Sequence, residues 1–165
     1  MRRKDREVSG RENIEPILQR CRVCRLAMQA DGGPYVIPLN FGYTWDEDGL
    51  TLYFHSGLKG KKIDALRADP RVCFEMDTED GLIGEGDLAC RYSFAFTSVV
   101  GYGSVEFAQD NEQKRRGFDI IMQHQTGRGG WRYTDAALSV AEVFWVHADS
   151  FEGSRKLPKP PKQGE

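Results

Sequence analysis

Long apolar runs are missing from this chain. No stretch approaches the ~20 consecutive apolar residues of a membrane span. The N-terminus, "MRRKDREVSGREN", has the charges of a signal peptide, but no apolar segment follows them. A surplus of positive charge is also missing. The 165 residues sum to a net charge of −2, with charges of both signs interspersed. A general nucleic-acid binder would show a basic bias over a whole face. These absences point to a cytoplasmic protein with neither a membrane nor a nucleic acid as partner. Cysteine is sparse as well. Four residues, Cys21, Cys24, Cys73 and Cys90, make no disulfide framework in a chain this long. "CRVC" at 21–24 invites a zinc or redox reading, yet no second ligand pair accompanies it. Read as part of a strand, it places residues three apart on opposite faces. Buried apolar cysteines, and no metal, are expected.

What remains suits one domain of ordinary size, which buries roughly 70% of its unfolded surface without staples. Residues 1–8 read as a basic arm. Ser9 and Glu12 have capping-box spacing ahead of Ile14, Ile17 and Leu18, which predicts a short helix to about Arg20. Strands are expected over 21–29, 34–43, 50–54 and 71–76, with "DGG" and "DEDG" as hairpin turns. A helix is expected over 61–68, stopped by Pro70. Residues 78–87 read as a loop, and 90–108 as one bent strand or two, with the bend at Gly101 and Gly103. Asp110 and Gln113 open a helix striped by Phe118, Ile121 and Met122, and an irregular loop follows over 126–135. The last strand is expected over 141–151. The Pro- and Lys-rich tail over 151–165 reads as mobile, leaving 1–150 as the domain. About six strands joined mostly by hairpins predict a small antiparallel barrel rather than a doubly wound parallel sheet.

Positive charge and backbone freedom gather at one turn. Between His55 and Lys62 stand a histidine, a serine, two glycines and three lysines, in "HSGLKGKK". Lys61 and Lys62 fall at the start of the predicted helix, where the dipole opposes them unless an anion neutralises both. Phosphate satisfies that arrangement. No Ser or Thr follows the lysine pair, so the loop is not a P-loop. Lys59 reads equally well as a solvated loop residue. His124 and His147 lie outside any motif, and "GRGG" at 127–130 reads as a plain loop.

The segments "PYVIPLNFGY", "LYFHSGLKGKKIDALRADPRVCFE" and "SVVGYGSVEF" carry a resemblance. Over roughly residues 1–150 the chain resembles the pyridoxamine 5′-phosphate oxidase-like, FMN-binding split-barrel superfamily, closest to its nitroimidazole-resistance branch. The resemblance implies a mainly β fold with a few helices, a six-stranded antiparallel split barrel. It implies a homodimer with FMN in the clefts between subunits. It places Lys62 as the phosphate-binding lysine and puts Lys61 where the oxidases carry arginine. It sets His55 and Ser56 where a strand end meets the flavin, and the backbone of Val36, Pro38, Leu39 and Asn40 along the flavin ring. It aligns Ser98, with Val99, to a flavin-contacting strand where the oxidases carry glutamine. Gly57 replaces the usual alanine. The C-terminus lacks the basic residues that hold pyridoxal phosphate in the oxidases, so the implied activity is reduction of small electron-poor substrates such as nitroaromatics. His55 is the one candidate for a catalytic side chain. The alternatives are a non-catalytic flavin binder or sensor, and a split barrel holding haem or a deazaflavin.

Overall fold

Two tight turns set the register of two hairpins in this computed structural model, which describes residues 4–157. Strand β2 (Val23–Ala30) turns through Asp31 and Gly32 into β3 (Gly33–Asn40), with Ala30 opposite Gly33. Gly32 takes a φ of 89°, which only glycine adopts without strain. Strand β4 (Gly42–Asp46) turns through Glu47 and Asp48 into β5 (Gly49–Gly57), with Asp46 opposite Gly49. Both turns stand where "DGG" and "DEDG" predict them. The single strand expected over 34–43 is instead two, interrupted at Phe41, whose side chain is fully buried.

The remaining elements are β1 (Glu7–Val8), α1 (Arg11–Arg20), α2 (Lys61–Ala68), β6 (Arg71–Ile83), β7 (Ser93–Phe107), α3 (Asn111–Thr126), α4 (Asp135–Ser139) and β8 (Ala141–Lys156). The strands follow the order β3-β2-β6-β7-β8-β5-β4, with β1 pairing β8 off this path. The path has two ends and does not close. Every pairing whose register is described is antiparallel. The mainly antiparallel architecture with few helices agrees with the expected class. Among the described residues the sheet has eight strands, against the six expected.

Several local expectations are corrected. Ser9 does not cap α1. Gly10 holds the N-cap position at φ 82°, and no side chain caps it. Ser9 instead offers its carbonyl to the Asn13 amide. Cys21 is the C-cap residue of α1 and precedes β2, so the opposite-face argument does not apply to it; its thiol lies 3.6 Å from the Asp77 carbonyl. Strand β6 runs on to Ile83 through the expected loop. Strand β7 runs as one strand through Gly101 and Gly103 rather than two. A Cβ at Gly103 would lie 2.0 Å from the His147 carbonyl oxygen, and one at Gly101 would lie 2.3 Å from Phe74 Cζ. These glycines permit close approach. Strand β8 continues to Lys156, past the expected end; the rest of the tail, 158–165, lies outside the described residues, as do the first three residues.

The contacts divide the chain into two compact units. One takes in α1, residues 76–99 and the chain from Glu152 onward; the other comprises Arg22–Glu75 and Val100–Phe151. In the first, Ile14, Leu18, Ala95 and Val99 are buried, and Gly153 lets β8 approach Val8. In the second, Phe54 stacks on Phe144 at 5.5 Å between ring centres, with Phe41 and Phe107 alongside. Leu26, Leu52, Ile63, Leu66 and Phe74 complete that core. Ile63 and Leu66 are the apolar stripe of α2, so burying them fixes the helix that carries the lysine pair.

Candidate functional site

Strand β5 extends to Gly57, so His55 and Ser56 are strand residues rather than loop residues. Consecutive strand residues face opposite ways. His55 shares a face with Thr51 and Tyr53 and stands opposite Val143 of β8; Ser56 shares the other face with Phe54 and stands opposite Glu142. The two residues that "HS" groups together therefore cannot act from one side. Glu142 is buried and receives a 2.9 Å bond from Arg67 near the end of α2, which ties that helix to β8 beneath Ser56.

The true loop is only Leu58, Lys59 and Gly60. Gly60 takes a φ of 125° at the N-cap of α2 and offers no side chain to its open N–H groups. The first turn of a helix leaves such groups unsatisfied. Lys61 and Lys62 occupy that turn. Lys61 lays its ammonium 5.0 Å from the centre of the Tyr35 ring. Lys62 is half-buried, and burial lowers its pKa from the usual lysine value. Among the described residues no carboxylate pairs with it. Asp64 shares the turn but makes no described ion pair with either lysine. A half-buried cation without a partner, beside open N–H groups and a positive dipole end, matches an anionic oxygen ligand of the phosphate type.

His55 keeps part of its surface in solvent, yet the protein around it still disfavours the charged imidazole. Its pKa is lowered, first by burial and then by the Lys62 charge. The ring packs on Phe118 of α3 with centroids 5.4 Å apart. Among the described residues neither ring nitrogen is hydrogen-bonded.

On β3, Val36, Pro38 and Asn40 share one exposed face, with Val36 56% accessible, whereas Leu39 lies on the other face with Tyr35 and Ile37. Lys61 stands over the Tyr35 ring on that second face. Ser98 and Val99 belong to the other compact unit. Ser98 is half-buried on β7, and Val99 is fully buried among apolar neighbours, so its side chain presents nothing to a ligand. Within one unit the structure brings together Lys61, Lys62 and His55. Tyr35 and Phe118 join them and were not anticipated, since a half-buried aromatic residue in a strand or helix carries no motif. His124 packs on Phe41 and Tyr43, as befits a structural residue, and Gly127 caps α3 in the left-handed conformation.

Comparison with known proteins extends this picture. The profile of the family described as pyridoxamine 5′-phosphate oxidase matches residues 10–155. A solved structure of a candidate 5-nitroimidazole antibiotic resistance protein from Bacteroides thetaiotaomicron superposes with a TM-score of 0.77 at 35% identity, covering 89% of this chain and 84% of that one. An FAD-binding protein from Mesorhizobium loti gives a TM-score of 0.62 at 28% identity, covering 92% and 98%. The flavocytochrome Anf3 from Azotobacter vinelandii gives 0.79 at 18% identity, covering 99% and 75%, a likeness of fold alone. No curated protein matches the chain.

Proposed function

The chain belongs to the pyridoxamine 5′-phosphate oxidase family, with its split-barrel fold, and from that premise we propose that it is a flavoprotein that holds FMN and reduces small electron-poor substrates such as nitroaromatics. The observation that carries this reading is the unpaired, half-buried Lys62 beside Lys61 at the open N-terminus of α2. A flavin phosphate would give both cations a partner. The likeness to the candidate nitroimidazole resistance protein supports the substrate class.

The bound flavin would supply the electron chemistry, and the protein would supply binding and orientation. Lys61, Lys62 and the first N–H groups of α2 would hold the phosphate. The backbone around Val36, Leu39 and Asn40 would face the ring; Pro38 has no N–H and would offer only its carbonyl and its ring. His55, with its charged form disfavoured, would offer one N–H donor and one acceptor nitrogen to a substrate.

We propose further that the protein is a homodimer whose second copy completes the cleft. The outward face of β7 supports this, since it leaves Val100 39% and Tyr102 60% accessible. Among the described residues no helix is long and apolar enough to cross a membrane.

The test is to purify the protein, identify its cofactor by visible absorption and mass, and assay oxidation of reduced pyridine nucleotide with a nitroimidazole. A flavin band, released FMN and nitro-dependent turnover are expected. A bound flavin with no turnover on any electron-poor acceptor would make it a flavin carrier or sensor. A haem or deazaflavin spectrum would overturn the cofactor assignment.

A further inference from the structure

A row of three rings ends on His55. The imidazole packs against Phe118 with centroids 5.4 Å apart and planes tilted by 44°, and Phe118 stacks on Tyr133 at 5.6 Å and 25°. The row is tethered at its far end, where the Tyr133 hydroxyl donates to Asp119 Oδ1 at 2.9 Å. Phe118 and Asp119 are neighbours on α3, so one stretch of helix grips Tyr133 twice, by its ring and by its hydroxyl. We propose that Phe118, Tyr133 and Asp119 are positioning residues that hold the His55 imidazole in one orientation and keep it neutral; the catalytic use of this device rests on the flavoprotein reading above.

The physical case begins with what else could hold His55. Neither of its ring nitrogens is hydrogen-bonded among the described residues, so packing alone decides its rotamer. A side chain near a strand end with free nitrogens samples several rotamers unless a wall restrains it. Phe118 is that wall. Alone on the helix it could swing away, but Tyr133 backs it.

Two causes lower the pKa of His55. Lys62, from α2, lowers its pKa by repulsion, and burial lowers it more. Opposite it on β8 stands Val143, which brings no charge. From α3 and the following loop come Asp119 and Tyr133, and the Asp119 carboxylate is occupied by the Tyr133 hydroxyl. The pKa of the phenol is pushed up, first by burial and then by Asp119, so it stays a donor throughout the working pH range.

The experiment follows the imidazole signals by NMR through a pH titration, with His124 and His147 as internal controls and His55→Gln to assign the third signal. Phe118→Leu removes the wall. The His55 midpoint is expected to rise toward the ordinary value near 6.5, with the other two histidines unmoved. Tyr133→Phe removes one oxygen and keeps the ring. It should move His55 the same way by less, and it carries the test should Phe118→Leu fail to fold. In the flavin-loaded enzyme, the acid limb of kcat/KM should shift upward in both variants. Folded variants with unchanged His55 midpoints would overturn the device. Shifted midpoints in a protein that binds no flavin would uphold the device and overturn the flavoprotein reading, so the two failures are told apart.

Discussion

Lys61 lies over the Tyr35 ring, and so joins the N-terminus of α2 to strand β3. Its neighbour Lys62 has no such partner among the described residues. The two lysines therefore differ. Lys61 is spoken for in part by an aromatic face, while Lys62 keeps its full donor capacity for a ligand.

Lys62→Ala should weaken FMN binding more than any other single change at the turn. Losing a charge-assisted hydrogen bond costs about 1.5–3 kcal/mol, or roughly ten- to a hundredfold in affinity. Tyr35→Leu should cost less, about 0.5–1 kcal/mol, the usual scale of an exposed cation–π contact. Flavin titration by fluorescence quenching gives both numbers. An unchanged dissociation constant in Lys62→Ala would remove the phosphate assignment.

His55→Ala should retain flavin and lose turnover. General acid–base assistance by a placed side chain is worth about 10²–10⁴ in rate. Steady-state kinetics on flavin-loaded variant protein measures the loss. A loaded variant with normal turnover would leave His55 as a packing residue.

The same histidine makes stability depend on pH. Its folded pKa lies below the unfolded value of 6.5, so the unfolded chain binds the proton more readily. Its contribution is fully present above 6.5 and is lost as pH falls toward the folded value. Urea denaturation between neutral and mildly acidic pH should show stability falling on acidification, and His55→Gln should flatten that slope. A slope identical in the two proteins would contradict the direction of the shift.

Gly103→Ala should destabilise the fold by about 1–3 kcal/mol, the usual cost of overpacking. The added Cβ would meet the backbone oxygen of His147 at 2.0 Å, and backbone cannot swing aside as a flexible side chain can. Thermal denaturation reads the loss. A melting temperature equal to that of the parent would mean that β7 and β8 separate here at little cost.

Sedimentation at micromolar concentration should find a dimer, with an interface of more than roughly 2,000 Å² if the pair is obligate. A folded, flavin-loaded monomer would remove the second copy from the site.

Much of this was legible in the sequence where local chemistry decides structure. The helix expected over 61–68 is α2 to the residue, because Gly60 and Pro70 bracket a short apolar stripe. Asp110 caps α3 by accepting the Gln113 N–H, as its spacing predicts. What failed was decided by partners distant in sequence. Acidic residues over 78–83 read as loop but are held in β6 by sheet pairing. The glycines of β7 also admit a close approach to His147 and Phe74 that nothing local announces. At the candidate site, the lysine pair and His55 stood in one quotable segment. Tyr35, Phe118 and Tyr133 reach that site from three other elements, and none has a neighbour in sequence to mark it.

The two ends of the strand path meet the hazard of stray polymerisation by different means. An outermost strand offers its free backbone groups to any extended segment that passes, including another copy of itself. On β3, Pro34 and Pro38 stand an even number of residues apart, and each withholds an amide donor that an incoming strand would need. On β4 there is no proline, but Gly42 presses against α3 so closely that a Cβ there would lie 2.4 Å from the Ile120 carbonyl oxygen. The helix screens the strand at that end. Fibril growth by edge-to-edge addition is thus hindered chemically at one margin and by bulk at the other.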